Sequence, residues 1–386
     1  MKKKTFFPAY ILAALLLCSC RSTIGVETEG TAGSTEPVFS SYQYQDEIAG
    51  CLTADVEIQI PQSDFLCPLY QTKMFQMSYE DYEQIKESVF KDKTLSSQDR
   101  IEEDDFTYYS ETTESDELLN YSQGTYGSGL YYHSPQYDSI MTRPFTDNNS
   151  IPWWSEEDLE RTGEELAFAS RQETIEKLSD FLEEMFHISV ADQAEIYALD
   201  QQALKTLAQK SNEDTGDVVD KTGKVYKTKE EWSKEEECYT VIFQEKLNSL
   251  PILTDFNNSN AMNAIEPTSI EFIYQNGEII YFDIENPYRD SEPYDQVKLL
   301  PFDDIADAMH KKYDSVIWDE DEEQTVQSVE LVYYADFLDE EKMDIRLRPV
   351  WIFEVSNSIE ASGKKVKQLT HILFDAETGK EVIGNQ

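Results

Sequence analysis

The chain is poor in histidine, cysteine and cations. Its four histidines, His133, His187, His310 and His371, never stand three or four residues apart, and the cysteines beyond position 20 are equally scattered. Zinc and haem sites therefore have no local support. Lys and Arg number 32 against 77 Asp and Glu, for a net charge of −45. That surplus argues against nucleic acid, whose phosphates require protein cations, and it repels anionic lipid head groups. No Gly-rich phosphate loop occurs. Gly127-Ser128-Gly129, with His133 nearby, lacks the Gly-x-Ser-x-Gly spacing of a nucleophile elbow and reads as a flexible loop. Asp319-Glu320-Asp321-Glu322-Glu323 lacks the Gly-turned alternation of a calcium loop and reads as a solvated acidic loop. With 77 acidic residues, a glycosidase-like carboxylate pair can always be imagined, so that idea has no force.

What is present first is an export signal. Met1-Lys2-Lys3-Lys4 gives a positive start, and an apolar run follows from Phe6 to Leu17. As helix it rises only about 18 Å, short of the roughly 30 Å hydrocarbon core. Residues 1–19 thus read as a signal peptide rather than a permanent span. Leu17-Cys18-Ser19-Cys20 resembles a lipobox, with Leu at −3, small Ser at −1 and Cys20 as the lipid acceptor. A diacylglycerol thioether there implies lipid anchoring on the extracytoplasmic face of the cell membrane. No later apolar run approaches the roughly 18 residues of a membrane helix.

Aromatics make up 12% of the chain and apolar residues 40%, enough to build cores despite the charge. Cys51 and Cys67 are spaced to close a short disulfide worth about 3 kcal/mol in the loop-entropy model. With Cys238 the count is odd, which argues against a disulfide framework.

Residues 20–48, rich in Ser, Thr, Glu and Gly, read as a flexible tether. Residues 49–94 read as a small β–α region: Val56, Ile58 and Ile60 alternate, then Ser78 caps a helix carrying Tyr82, Ile85 and Val89. Residues 95–150 read as an acidic, Tyr- and Gly-rich surface excursion, partly disordered. Trp153 and Trp154 cannot easily share one face, so they are candidates for a partner surface, as is Trp351. A hydrophobic staple is the more ordinary use of the adjacent pair.

Two similar runs of elements follow, at 151–298 and 299–386. In the first, the capping box Ser170 to Glu173 opens a helix with Ile175, Leu178, Leu182 and Met185 on one face. Strands follow at Glu195–Leu199 and around Val241, and then a hairpin turns at Asn276-Gly277. In the second, Pro301 opens a helix with Ile305, Met309 and Tyr313, followed by three strands. Consecutive strands joined by turns should be antiparallel, with a helix on one face.

The ending Leu347-Arg348-Pro349-Val350-Trp351-Ile352-Phe353, with Ile372-Leu373-Phe374-Asp375-Ala376-Glu377-Thr378-Gly379-Lys380-Glu381-Val382, resembles PepSY-like domains. The whole chain also resembles clostridial (Firmicutes) lipoproteins of similar length and layout. The PepSY resemblance implies a cystatin-like sheet, action by binding, and a place in peptidase inhibition or extracytoplasmic regulation. The expected fold class is α+β: two tandem modules of curled antiparallel sheet packed on a helix, preceded by the small β–α region. The expected function is that of a non-enzymatic cell-surface lipoprotein, a regulatory or sensory accessory binding another envelope or membrane protein, with no cofactor or metal. A solute-binding lipoprotein and an envelope hydrolase with an unrecognised site are the alternatives.

Overall fold

The computed structural model describes residues 37–49, 52–103, 106–124, 127–140, 165–192, 194–214, 229, 231–253, 268–314, 324–339, 344–361 and 364–382. The chain opens with strands β1 (Phe39–Ala49), β2 (Leu52–Pro61) and β3 (Leu66–Met74), then helix α1 (Tyr79–Phe90). A meander follows: β4 (Leu95–Glu103), β5 (Phe106–Thr113), β6 (Leu118–Gln123) and β7 (Ser128–His133). Helices α2 (Pro135–Ile140) and α3 (Arg171–Phe186), strand β8 (Glu195–Leu199) and helix α4 (Gln201–Asp214) come next. Strand β9 (Cys238–Ile242) leads to a small hairpin, β10 (Lys246–Leu247) and β11 (Leu250–Pro251), and then to β12 (Ser269–Gln275) and β13 (Glu278–Glu285). The chain closes with β14 (Tyr288–Lys298), α5 (Phe302–Asp314), β15 (Gln324–Asp339), β16 (Asp344–Ala361) and β17 (Lys364–Asp375).

Local chemistry explains the element ends. Ser78 accepts the Asp81 N–H at the start of α1, and the Ser170–Glu173 capping box forms at α3. His187 closes α3 in the left-handed region, which returns the chain along the helix. Asn276 and Gly277 both take positive φ in the β12–β13 turn, as a two-residue hairpin requires. At the C-terminal turn, the Asp375 carboxylate accepts from Thr378 N at 2.8 Å and Thr378 Oγ1 at 2.7 Å. Gly379 there has φ +66, and a Cβ would meet Leu300 Cδ1 at 3.2 Å.

Among the described residues, the strands form a seven-stranded sheet, an eight-stranded sheet and the two-stranded hairpin. The fold is α+β, but the expectation of two tandem curled modules is wrong on both counts. Neither large sheet is closed or strongly curled. Nor does each sheet come from one stretch of chain. The seven-stranded sheet takes β1–β3 from the beginning and β14–β17 from the end, while the eight-stranded sheet, β4-β5-β6-β7-β13-β12-β9-β8, lies between them in sequence. One sheet is thus inserted within the other, and from Glu36 onward the chain forms one compact unit. The pairings that produce this are long-range: β2 runs parallel to β15 (Thr53↔Thr325), and β3 runs antiparallel to β16 (Gln71↔Arg346). β14, expected to end the first module, pairs with β3 in the other sheet.

Two expected irregular regions are ordered where described. The tether expected over 20–48 gives way to β1 at Phe39, which pairs with β2 along nearly its whole length. The expected excursion contains the four-stranded meander β4–β7. Tyr109, Leu119, Tyr121, Leu130 and Tyr132 from that meander are buried against α1 and α3. Tyrosine serves there as a large apolar side chain with a polar tip, which hides the alternation in a hydropathy reading.

Both large sheets pack against helices, the seven-stranded sheet on one face and the eight-stranded sheet on two. The seven-stranded sheet packs Tyr44, Ile58, Leu347 and Phe353 against Phe302, Ile305, Met309 and Tyr313 of α5. The eight-stranded sheet packs Phe272 and Phe282 against Leu178, Leu182 and Phe186 of α3, with α1 beside them. Its opposite face carries Ile273, Ile280 and Tyr281 under Tyr137 of α2 and Leu204 of α4. Helices on both faces again depart from the expected single-helix modules.

Candidate binding cleft

The inward stripe of α3 is apolar, so its polar residues stand on the outer face: Gln172, Glu176, Asp180 and Glu183 recur at helical spacing. The left-handed His187 folds residues 188–192 back beside this stripe. Ile188 and Val190 are buried, while the Ser189 hydroxyl donates to Glu183 Oε2 at 3.1 Å. The returning segment is fixed from below, because Ala191 N donates to Gln244 O at 2.8 Å and Lys246 N donates to Ser189 O at 2.9 Å. The result is a cleft of about 560 Å³ whose wall is α3 and whose floor is Ile188 to Asp192 with Lys246. Four carboxylates, Glu176, Asp180, Glu183 and Asp192, line it against one ammonium. Lys246 Nζ lies 2.6 Å from Asp192 Oδ1, but Asp192 is 92% exposed, so this pair contributes at most about 1 kcal/mol. A cation brought into the cleft meets a surplus of three negative charges.

A second group of carboxyls lies on the α2/α4-facing side of the eight-stranded sheet. Glu271 on β12 and Asp283 on β13 stand directly opposite one another, with Glu285 further along β13. Like charges so placed are unfavourable. Burial, then the neighbouring carboxylates, pushes both Glu271 and Asp283 up to about 7. Tyr281 donates to Asp283 Oδ2 at 3.4 Å, and Tyr197 donates to Glu195 Oε2 at 2.8 Å. Among the described residues, no group of three or more His, Cys, Asp or Glu converges as a metal site.

The residues singled out in the sequence fare as follows. Cys20, Cys51, Trp153, Trp154 and the 319–323 acidic run lie outside the described residues. Cys67 is a free, buried thiol, 3.5 Å from the Tyr333 hydroxyl, and burial pushes it up to about 12. Such a thiol is an inert core group. Trp351 is corrected from partner surface to core: it is 1% exposed and packs edge-on against Phe302 at 5.1 Å. Its position on the helix-facing side of β16 places it under α5, a consequence of register that the Pro-x-Trp pattern alone does not reveal. Ser128 and His133 stand on opposite faces of β7, as the strand alternation requires, so they form no pair. His310 Nε2 sits 2.8 Å from Asp46, joining α5 to β1.

The acidic stripe of α3 is visible in the sequence as residues but not as a site. An acidic outer helix face ordinarily means solvation, and only the tertiary return of residues 188–192 makes it concave.

No family model matches the chain, and no curated protein matches it. A crystal structure of an uncharacterized protein from Eubacterium rectale ATCC 33656 is similar over 88% of this chain and 93% of that one, with a TM-score of 0.64 and 16% identity. At that identity the likeness shows a shared fold and nothing about activity. No helix among the described residues is long and apolar enough to cross a membrane.

Proposed function

We propose that this protein is a binding protein of the cell surface, held on the extracytoplasmic face by a lipid on Cys20, that docks a cationic segment of another envelope protein beside α3. Its role on this reading is regulatory or sensory. The observation that supports it is the convergence of Glu176, Asp180, Glu183 and Asp192 around one concave surface, with Lys246 as the sole cation among the lining residues. An Arg- or Lys-bearing segment would meet charge complementarity along the α3 wall, with half-buried Ile175 as an apolar contact.

The test is comparative capture. Mature protein carrying Cys20→Ser is immobilised and exposed to detergent-solubilised membranes of the native cell, beside the same protein with Glu176→Lys and Asp180→Lys. A control carries Glu57→Lys on the exposed face of β2, far in sequence from the cleft. The reading expects one recurrent membrane protein retained by the parent and the control but lost with the cleft reversal, with retention weakening as salt rises. Equal capture by all three sinks the cleft as the docking site. Capture of nothing, together with a thermal shift from one free solute, would favour the solute-binding reading.

A further inference from the structure

Glu245 is a buried carboxyl that the cleft itself does not use. It is 3% exposed and stands at the junction of three segments. Its two carboxyl oxygens accept the single Tyr288 N–H at 3.2 and 3.0 Å, just after the chain crosses from β13 to β14. Its main chain bridges Val190 in the cleft floor, and its carbonyl accepts Ile252 N at 2.7 Å. Leu253 N then donates to Tyr333 O of β15 at 2.8 Å. The segment 244–253 therefore ties the cleft floor, at Ala191–Gln244 O and Lys246–Ser189 O, to the seven-stranded sheet, and the Glu245 carboxyl ties it to the crossover.

The surroundings of that carboxyl are lopsided. Among the described residues, no cation pairs with it. Burial pushes it up to about 8, opposed only by the Tyr288 N–H. The phenol of Tyr288, itself pushed up by burial, Glu245 and Tyr334, is the titratable group that senses it from β14, and Tyr334 contributes from β15. The nearest charges along the chain are taken elsewhere: Lys246 pairs with Asp192, and Arg289 lies 3.5 Å from Asp81. Glu183 across the floor accepts from Ser189. A carboxylate formed at Glu245 would have one N–H to hold it and no counter-ion among the described residues, so ionisation favours states in which the junction opens to water.

We propose that Glu245 is a proton-operated clasp: protonated, it holds the floor of the α3 cleft in its binding shape, and on losing its proton to solvent it loosens the 188–192 and 244–253 segments together. This rests on the cleft being the docking site, and deepens it by making that docking pH-dependent. The coupling follows from the hydrogen bonds, since the residues flanking Glu245 are those that hold Ser189 and Ala191.

The experiment is hydrogen exchange on the mature chain near neutral pH and about two units above, corrected for intrinsic rates, with Glu245→Gln as comparison. The Glu245→Gln side chain keeps the shape and an acceptor for Tyr288 N but cannot ionise. The wild-type amides of Ala191, Lys246, Ile252 and Tyr288 are expected to lose about tenfold of their protection per unit above the transition, while Glu245→Gln stays flat. Parallel loss in both proteins, or none in the wild type, overturns the clasp. Should Glu245→Gln not fold, infrared spectra of ¹³C-glutamate-labelled protein decide, recorded in a Glu271→Gln/Glu330→Gln background because those two carboxyls are also pushed up by burial: a protonated-acid band must remain and vanish in step with the loss of protection. Binding of an N-acetylated, C-amidated oligo-arginine peptide, whose charge does not change over this range, reads the coupling. Its affinity should fall with pH in the wild type and stay level in Glu245→Gln. Absence of peptide binding at both pH values overturns the cleft reading and the coupling with it, while the exchange result separately decides whether the clasp exists.

Discussion

Replacing Asp283 with Asn is expected to do little near pH 4, to stabilise the fold increasingly as pH rises, and to reach its full effect above about pH 7. Asp283 faces Glu271 across β12–β13, and its carboxyl is pushed from 3.8 to about 7, first by burial and then by Glu285 and Glu271. A group whose folded value is raised holds its proton in the native state and releases it on unfolding, so stability falls as pH climbs from about 4 through 7. The shift spans about three units at roughly 1.4 kcal/mol each, giving an upper bound of about 4 kcal/mol. Asp283 is only partly buried by exposed area and shares its repulsion with Glu271, which halves the expectation to about 2 kcal/mol near pH 8. Asn keeps an oxygen for the Tyr281 hydroxyl, so the hydrogen bond at 3.4 Å survives. Urea unfolding of parent and variant across about pH 4.5 to 8.5 reads the difference directly. A cycle with Glu271→Gln should give sub-additive gains, because either change removes the shared repulsion. A destabilising Asp283→Asn at high pH, or a gain independent of pH, would refute the assignment of charge repulsion to this face.

Three further outcomes can be checked. Trp351→Ala should cost about 3–5 kcal/mol in urea unfolding, since it empties a fully buried site beneath Phe302; a cost under about 1 kcal/mol would return Trp351 to the surface. Ser170→Ala should cost about 1 kcal/mol by removing the hydroxyl that accepts Glu173 N at 3.2 Å. Cys20→Ser in the full-length gene should release the protein from the cell into the medium, read by blotting both fractions; unaltered membrane retention would defeat the lipid anchor.

How far the sequence is legible follows from the range of the forces involved. The helix stripes of α1, α3 and α5 are readable because a 3.6-residue period repeats within one element. The Ser170–Glu173 box, the Asn276-Gly277 turn and the Asp375–Gly379 turn are readable because their hydrogen bonds close within a few residues. The meander escapes such a reading because tyrosines do the burying there and charged residues such as Glu111 and Glu117 are buried beside them; Glu117 accepts from Tyr132 at 3.1 Å and pairs with Lys93. Hydropathy scores such a strand as surface.

The nesting of one sheet inside the other is the least legible feature, and the reason bears on function. Nothing in Leu52–Ala54 announces a parallel partner at Gln324–Val326, about 270 residues away, because a strand's own alternation says which face is buried and not which neighbour supplies the hydrogen bonds. The two similar runs of elements expected over 151–298 and 299–386 do not divide the chain: the first also carries α4 and the β10–β11 hairpin, and its last strand, β14, pairs with β3 in the other sheet. That arrangement forces the chain to cross between sheets near Asn286, where Asn286 Oδ1 accepts Ser128 N at 2.8 Å and Thr268 donates to the Asn286 carbonyl at 2.9 Å. Polar groups must be buried wherever strands of two sheets hand over, since backbone donors there lack ladder partners. Glu245 caps one such donor, that of Tyr288, with a group able to titrate, where Asn286 does the same work with one that cannot. A carboxyl is the costlier choice for a purely structural cap, and it is the difference between the two that makes the crossover beside the cleft responsive to protons.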